Sequence, residues 1–369
     1  MKQCLAILGT NEYQNPLILR AKELGYETHA FGWKTGEIGE KTADFFHDVN
    51  ITDYETLWKE IQKLNPVGVV SIASELAMHS VNYILRKMGI PCNTFKTEEI
   101  ATNKYLMRCA MRDAGIPGPE FILTGNHIDK NDFSRFQYPL IVKPVDLSSS
   151  RGIMRVDSPE ELQNAVEYAL SWSKKEEVLV EEFIDGPEYS GESIAYQGKY
   201  KLLAVTEKRT TGAPHYVERG HIQPAKLTDE QYKTVEDTLY KAFASMGIEY
   251  GAIHPEFRIT KDGVVKFMEI GIRMGGDCIG SDLVPLSTGY DYMGMVISIG
   301  CGKAPSFEKI CEPRKAEIRY IIDQRDQEEY ERVLREEPGI MVRHSNMKPL
   351  NTKEILKSAD RSGYYITAK

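Results

Sequence analysis

The 369-residue chain has no apolar run near the ~20 residues that a membrane-spanning helix needs, so no membrane span is expected. Its opening, MKQCLAILGTNEYQ, turns polar too soon for a signal peptide and is predicted as a first strand. Its six cysteines include no C-x-x-C pair, which argues against a zinc knuckle or a disulfide framework. A net charge of −8 leaves no basic excess for nucleic acid. We therefore expect a cytoplasmic protein with reduced thiols and with neither a membrane nor a nucleic acid as partner.

Internal repeats and a G-x-G-x-x-G fingerprint are also missing, although the first 95 residues alternate strand and helix signals. Three strands are predicted, at Cys4–Leu8, Glu27–Phe31 and Val67–Ala73. This alternation predicts a parallel sheet whose ligand-facing loops lie at the carboxyl ends of the strands. Ser74 and Glu75 follow the third strand at such an end, where they either face a ligand or are solvated.

A lysine-bearing strand and a small-residue loop follow. Lys104 lies near the start of a helix predicted over Thr102–Ala114, and Lys143 ends a buried strand within Tyr138–Pro144. The loop Ser148–Gly152 is small and rich in N–H and hydroxyl donors, which suit phosphate oxygens. Many hairpins end in such a loop, so the phosphate interpretation depends on the lysine placed just before it.

The segment Thr210–His221 concentrates polar side chains, among them Glu218 and His221. A metal cluster is one interpretation, but the segment has no cysteine and no helical H-x-x-x-H pair. A loop that faces a substrate is therefore the better prediction. Beyond residue 306, charge-rich segments alternate with strand-like runs, which predicts a small C-terminal module without an interpretable motif.

The most informative stretch is Ala252–Asp277. Two strands are predicted within it, at His254–Ile259 and Val264–Ile270. The pair Asp262-Gly263 between them is a strong signal for a two-residue hairpin turn. Counting outward from that turn places Glu256 directly opposite Glu269.

This register gives the hairpin two unlike faces. The expected apolar face consists of Phe257, Ile259, Met268 and Ile270. The expected polar face consists of His254, Glu256, Glu269 and Arg273. Like charges directly opposite each other are unfavourable, and carboxylate oxygens suit Mg²⁺, so the pattern predicts a divalent-cation site. The alternative is a solvated hairpin whose glutamates pair with lysines.

Taken in order, these motifs resemble the ATP-grasp superfamily from residue 1 to about 300. The motifs are a three-strand α/β domain, a helix-borne lysine, I-V-K-P with its loop, V-E-E-F-I-D-G-P-E, and a glutamate pair ending in E-I-G-I-R-M-G-G. Within the superfamily they look most like the carboxylate–amine ligases of the L-amino-acid ligase (dipeptide synthetase) group. The resemblance implies an ATP-grasp fold of α/β and α+β parts. Its expected parts are a Rossmann-like pre-ATP-grasp domain at 1–95, a two-lobed ATP-grasp domain at 96–305 with a lid at about 118–190, and a small C-terminal module at 306–369.

The resemblance also implies an ATP site. The residues expected to hold the phosphates are Lys104, Lys143, Ser148, Ser149, Ser150, Arg151 and Gly152. The residues expected around the adenine and ribose are Glu181, Glu182, Phe183, Ile184 and Glu188. In this scheme Lys143 is also catalytic, the backbone of Glu182 and Ile184 reads the adenine edge together with Glu181, and Glu188 binds the ribose hydroxyls.

The metal and substrate residues follow in the same way. Glu256 and Glu269 would carry one or two Mg²⁺ ions, or Mn²⁺, and Arg273 would steady the substrate carboxylate and the tetrahedral intermediate as a catalytic residue. Glu218 would pair with the amino group of the first amino acid, and His221 would lie near the reacting carboxylate. The alternative for both is a solvated loop with a structural histidine.

One position departs from the family pattern. Many members have Glu-x-Asn where this chain has Glu269-Ile-Gly271, which removes a side-chain ligand for a second Mg²⁺. Either water or a bridging Glu269 replaces that ligand, or the second ion binds more weakly.

The expected activity is ATP-dependent amide formation through an acyl phosphate, with an amino acid as substrate and with ADP and phosphate as products. An alternative is bicarbonate or carboxylate activation as in biotin carboxylase or carbamoyl-phosphate synthase, which predicts a biotin carrier or a duplicated half. A non-catalytic ATP-binding regulator is a third reading, and it predicts loss of residues such as Lys143 or Arg273, which are present. The expected partners are a small-molecule carboxylate and an amine, and homodimers are common for this architecture.

Overall fold

The computed structural model describes residues 2–126, 128, 130–147, 151–213, 216–351 and 355–369, and for Lys130 and Asn131 it describes the backbone alone. Three predicted phosphate-loop residues, Ser148, Ser149 and Ser150, lie outside the described residues. None of the helices in these ranges is both long and apolar enough to cross a lipid bilayer.

Helices and strands alternate along the chain, and the strands pair into three sheets within the described residues. The strands are β1 (Cys4–Leu8), β2 (Glu27–Gly32), β3 (Phe45–Asp48), β4 (Gly68–Val70), β5 (Phe121–Thr124), β6 (Leu140–Pro144), β7 (Met154–Val156), β8 (Val178–Glu182), β9 (Glu188–Tyr196), β10 (Lys199–Thr210), β11 (Glu218–Gln223), β12 (Tyr250–Ile259), β13 (Val265–Gly271), β14 (Ala316–Ile321), β15 (Met341–His344) and β16 (Gly363–Ala368). The α-helices are α1 (Asn15–Glu23), α2 (Ile38–Thr42), α3 (Tyr54–Leu64), α4 (Glu75–Met88), α5 (Phe95–Thr102), α6 (Lys104–Asp113), α7 (Leu162–Trp172), α8 (Asp229–Ser245), α9 (Val284–Thr288), α10 (Tyr292–Gly300) and α11 (Gln324–Glu336).

The amino-terminal sheet has the strand order β3-β2-β1-β4, and all neighbours are parallel. Residues Leu5–Leu8 of β1 are fully buried because helices pack on both faces of the sheet. The predicted parallel sheet is confirmed, but the sequence interpretation misses β3, whose Phe-Phe-His-Asp sequence is half polar. Ser74 caps α4 by accepting the Ala77 N–H at 3.2 Å, so its side chain serves the helix rather than a ligand.

The second sheet, with the order β5-β8-β6-β7, is antiparallel and packs on α7 through Val166 and Ala169. We call this unit the lid. Its last strand ends at Glu182, and Glu188 already begins β9 of the next sheet. The lid sheet is therefore shorter than the predicted lid region at its carboxyl end.

The third sheet has eight strands in the order β13-β12-β9-β10-β11-β14-β16-β15. The strands of the predicted C-terminal module continue this sheet, since β14 pairs directly with β11. One face packs on α8 and α6 through apolar side chains such as Leu239 and Phe257. The opposite face, called the polar face below, carries a cross-strand row formed by Arg258, Glu188, Lys208 and His221.

Candidate active site

Glu256 and Glu269 lie directly opposite each other on the polar face, as the sequence predicts. The predicted two-residue turn is wrong, however. The turn contains the three residues Lys261–Gly263, because the Thr260 N–H donates to the Val264 carbonyl at 3.0 Å. The longer turn shifts the pairing by one residue, and a bulge next to Glu256 shifts it back.

The same bulge changes which side chains face the core. Phe267 pairs with Phe257 and is 1% exposed, whereas Met268 is the extra residue of the bulge. The prediction that Met268 shares the core face is therefore wrong, and Phe267 takes its place. Met268 instead offers its carbonyl to Arg108 at 3.0 Å.

Two lysines flank the carboxylate pair. Lys104 Nζ lies 3.2 Å from Glu269 Oε1, and Lys208 Nζ contacts Glu256 and lies 3.2 Å from Glu188. Burial disfavours the charge on Lys208, but Glu256 and Glu188 outweigh it and raise the pKa of Lys208 above its ordinary value. Burial likewise opposes ionisation of Glu256, yet Lys208 holds its pKa well below its usual range. Glu256 is therefore an ionised carboxylate at neutral pH.

Lys104 reaches the site because a helix begins there. In place of one helix over Thr102–Ala114, two helices meet at Asn103, whose side chain accepts the N–H groups of Tyr105 and Leu106. Lys104 is the first residue of the second helix and is buried, and its Nζ donates to the Leu147 carbonyl at 2.6 Å.

Lys143 and Glu181 form a buried ionic cluster with Arg108. Lys143 Nζ donates to Glu181 Oε1 at 2.6 Å, and Arg108 donates to the two Glu181 oxygens at 2.7 and 3.1 Å. Burial opposes ionisation of Glu181, but the two cations lower its pKa to about 2. Burial also lowers the pKa of Lys143. The cluster ties the lid strands β6 and β8 to α6.

The chain leaves the lid through a hinge at Glu182–Ile184. The Glu182 N–H donates to the Glu120 carbonyl at 3.0 Å, whereas the Ile184 N–H has no acceptor in the part of the chain that the structure describes. Arg258 donates to the Ile184 carbonyl at 2.8 Å and to Glu188 at 3.2 Å. The hinge thus keeps one backbone donor unused, the Ile184 N–H, beside the acidic side chain of Glu188.

Three further predicted nucleotide residues lie in this hinge and at the described end of the phosphate loop. The Phe183 ring contacts two guanidinium groups, with its centre 5.0 Å from Cζ of Arg155 and 4.9 Å from Cζ of Arg258. Arg151 is exposed, and Gly152 has φ of +71° with no room for a Cβ atom, which would approach Trp172 to 2.9 Å. A larger residue at position 152 would strain the loop.

Glu218 and His221 lie on the same face of the sheet as Lys208. Regular alternation would place residues three apart on opposite faces. A bulge at Arg219 inserts one extra residue between them. Glu218 therefore joins His221 on the polar face, while Arg219 turns away and donates to Asp326 at 2.9 Å.

His221 is an unusual buried side chain. It is 1% exposed, and within the described residues neither ring nitrogen has a hydrogen-bond partner. Its ring packs edge-on against Tyr320 at 5.8 Å. Burial and the nearby charge of Lys208 lower its pKa to about 3. An imidazole with two unused nitrogens is costly to bury unless a ligand supplies a partner, so His221 is a candidate substrate contact.

Arg273 lies at the edge of the polar face, where the amino-terminal domain meets it. Its guanidinium is 3.5 Å from Glu75. Of Ser74 and Glu75, the two residues that follow the third predicted strand, Glu75 therefore does reach the site. The loop that follows Arg273 is held by Glu192, which accepts the Gly275 N–H at 3.2 Å and also contacts His254. His254 is buried in this contact, which gives it a structural role beside the carboxylate pair.

Sequence reasoning misses three charged residues of the site, and each had a usable signal. Arg108 lies four residues after Lys104 on one helix, a spacing that places both on one face. Arg258 lies two residues after Glu256 on one strand and shares its face. Lys208 lies on β10 opposite Glu188, just before the loop that the sequence predicts to face a substrate.

These elements agree with a comparison against known proteins. A family model described as an ATP-grasp domain matches residues 136–281. The fold and this match define the class of protein: residues 136–281 match an ATP-grasp domain, and the chain has the ATP-grasp fold, as its motif order predicts. Its ATP-grasp homologues are ADP-forming ligases, and the carboxylate–amine ligases are the branch that the chain resembles.

Individual relatives point in the same direction. The D-alanine–D-alanine ligase of Flavobacterium psychrophilum is 28% identical over 193 residues, which cover 50% of this chain and 57% of the relative. Dapdiamide A synthase of Enterobacter agglomerans is 26% identical over 242 residues, which cover 62% of this chain and 55% of the relative. The crystal structure of L-amino acid ligase from Bacillus licheniformis has a TM-score of 0.81 at 24% identity and covers 100% of this chain and 93% of its own. The chain thus spans little more than half the length of these two curated relatives.

Proposed function

We propose that the chain is an ATP-dependent carboxylate–amine ligase that forms an amide bond through an acyl phosphate, with an amino acid as substrate. The observation that carries this proposal is the arrangement on the polar face. Glu256 and Glu269 face each other between Lys104 and Lys208, and the same face continues to His221. Carboxylates beside lysines suit a metal-bound triphosphate, and the continuing face offers a substrate site next to it.

The nucleotide would lie between the lid and the polar face. Lys104 and Lys143 would hold the α- and β-phosphates, and Lys208 adds a third cation. The loop residues proposed to close over the triphosphate are Ser148, Ser149, Ser150, Arg151 and Gly152. The unused N–H of Ile184 supports an adenine contact there, together with Glu181 and the backbone of Glu182 beside Phe183. Glu188 would bind the ribose hydroxyls.

Mg²⁺ fits the facing carboxylates, because hard oxygen ligands on two adjacent strands are what this ion takes. Within the described residues no third His, Cys, Asp or Glu joins Glu256 and Glu269 in a metal-binding group. Gly271 likewise supplies no side-chain ligand. The proposed site is therefore open on one side, where nucleotide oxygens would complete it. A bound ion there would neutralise phosphate charge.

In the proposed reaction, an oxygen of the substrate carboxylate attacks the γ-phosphorus of ATP, the bond from that phosphorus to the β-phosphate oxygen breaks, and ADP leaves. The amine nitrogen then attacks the acyl carbon and loses a proton, and the bond from that carbon to the phosphate oxygen breaks. Negative charge concentrates in both steps, and Lys143, Lys208 and Arg273 would offset it. Closure of the lid would keep water from the acyl phosphate.

The donor amino acid would bind where the polar face carries Glu218 and His221. Glu218 would pair with its amino group and His221 would lie near its carboxylate, and the bulge that brings both to one face supports this assignment. Arg273 would hold the reacting carboxylate in place of its present neighbour Glu75.

The test is release of phosphate from ATP and Mg²⁺ across a panel of amino acids, offered singly and in pairs, with mass spectrometry of the products. Phosphate together with a condensed mass for one pair would support the ligase and name its substrates. Phosphate with bicarbonate instead would favour carboxylate activation of the carboxylase type. Binding of ATP without phosphate release under any condition would favour the non-catalytic regulator.

A further inference from the structure

A short turn near the carboxyl terminus contacts the polar face at two places. Ser358 Oγ donates to Glu218 Oε2 at 3.0 Å. Three residues later, Arg361 donates to the two carboxylate oxygens of Asp277 at 3.1 and 3.4 Å. Glu218 begins β11, and Asp277 ends the loop that starts at Arg273. One turn therefore joins two elements of the site that are distant in sequence.

Arg361 is held more firmly than a surface ion pair. Its side chain is 7% exposed, its guanidinium lies 3.8 Å from the centre of the Tyr320 ring, and its Nε donates to the Ser358 carbonyl at 2.9 Å. Asp360 closes the turn from within by accepting the Lys357 N–H at 3.1 Å. A planar guanidinium bonded along several N–H directions and stacked on a ring has one orientation, so the turn is a preorganised part of the structure.

His221 lies between the two anchoring points of the turn. The Tyr320 ring that supports Arg361 also packs against the His221 ring, and the charges of Asp277 and Arg361 act on His221. On the other side, His221 shares the polar face with Glu218. The turn thus borders both residues that would face the donor amino acid.

We propose that the turn Ser358–Arg361 forms the outer wall of the pocket for the carboxylate-donating amino acid, with Ser358 as a positioning residue for Glu218. This inference rests on the proposed function, which assigns the amino group of that amino acid to Glu218. A hydroxyl that donates to a carboxylate limits its rotation and leaves further acceptor positions for a substrate ammonium. Arg361 anchors the turn to the site through its ion pair with Asp277. The turn therefore selects donors that carry a free amino group.

A purely structural turn would affect every donor alike, so the test compares two donors. One is the amino acid with the fastest wild-type phosphate release, and the other is the carboxylate of the same skeleton without the amino group, for example L-alanine and propionate. Four variants of the full chain are measured: Ser358→Ala, Ser358→Thr, Glu218→Gln and the double variant Ser358→Ala with Glu218→Gln. Ser345→Ala is the matched control, because this serine bonds Tyr364 in the same region without touching a predicted substrate residue.

We expect Ser358→Ala to raise the KM for the amino acid about three- to tenfold, as loss of one typical hydrogen bond does. The KM for ATP and the KM for the carboxylate without an amino group should stay unchanged, and Ser358→Thr should restore the wild-type value. In the Glu218→Gln background, Ser358→Ala should add nothing, because the two act on the same substrate group.

Three outcomes would overturn the inference. These are an equal KM change for both donors, a full additional effect in the Glu218→Gln background, and a Ser345→Ala variant that behaves like Ser358→Ala. If wild-type protein gives phosphate with an amino acid and one of these outcomes appears, the inference about the turn fails alone. If wild-type protein releases no phosphate with any amino acid, the proposed function fails and the inference fails with it.

Discussion

Glu269 is the residue on which the metal proposal depends most directly, since it faces Glu256 and lies 3.2 Å from Lys104. Glu269→Gln keeps the shape of the side chain and removes its charge. We expect phosphate release at saturating ATP and Mg²⁺ to fall about 100-fold or more, because charge neutralisation at the phosphates is lost. Glu99→Gln, at an exposed position, is the control and should keep the wild-type rate. Wild-type turnover by Glu269→Gln across a Mg²⁺ titration would refute the metal assignment.

His221 predicts a pH dependence of stability. Its pKa in the folded chain is about 3, below the ordinary 6.5, because burial and Lys208 oppose its protonation. Between these values the unfolded chain binds a proton that the folded chain does not, so stability falls as the pH is lowered. This residue alone should cost about 2 kcal/mol between pH 7 and pH 5.

Replacement of His221 by phenylalanine removes the titrating group and two unpartnered nitrogens, and it can still pack against Tyr320. Urea unfolding at pH 7, 6 and 5 should therefore show a smaller loss of stability with acid for His221→Phe than for the wild type. Parallel pH profiles for the two proteins would show that His221 does not titrate as a buried neutral group.

At the scale of elements, the hairpin shows how far sequence can carry the prediction. The turn signal and the period of two predict that Glu256 faces Glu269, and the structure confirms it. The count succeeds because a three-residue turn and the bulge at Met268 introduce opposite shifts of one residue. Neither shift is visible in residue types, because bulges arise from the pairing with a neighbouring strand. The same reason explains why sequence alone cannot show that Glu218 and His221 share a face.

Helix α6, the lid strands and β13 meet at Arg108. Its guanidinium donates to both oxygens of Glu181 and to the Met268 carbonyl, and its side chain is 3% exposed. Arg108→Met leaves the buried Glu181 carboxylate with Lys143 as its one remaining cation among the described residues, which should destabilise the fold by about 3–5 kcal/mol. Urea unfolding at pH 7 measures the loss. Arg112→Met, one turn further on the exposed side of α6, should change stability by less than about 0.5 kcal/mol. Similar losses for both variants would contradict the assigned role.

At the scale of the whole molecule, the sequence predicts three regions but not how their strands join. The amino-terminal parallel sheet and the ATP-grasp elements follow from periodicity, caps and motif order. The pairing of the C-terminal strands does not, because charge-rich segments with few long apolar runs give no signal of which strand is their partner. In the structure β14 pairs with β11, and Ile318 lies directly opposite His221. The region after residue 306 is therefore part of the sheet that carries the site.

This continuity predicts that residues 1–305 do not fold as a stable unit. Without β14–β16, β11 would become an edge strand that pairs with β10 alone. The apolar side chains that pack on Ile318 and Tyr364 would also be exposed. We expect the truncated chain to lack a cooperative unfolding transition by circular dichroism and to be degraded rapidly by a protease that leaves the full chain intact.

The matched control is the full chain with one protease site inserted in the exposed segment 306–312 and cleaved after folding. Because the strands are held by hydrogen bonds and packing rather than by that segment, the cleaved chain should keep its unfolding midpoint and its phosphate release. A truncated chain with the wild-type midpoint would show instead that the C-terminal region is an independent module, and would remove the basis for placing the Ser358–Arg361 turn in the wall of the substrate pocket.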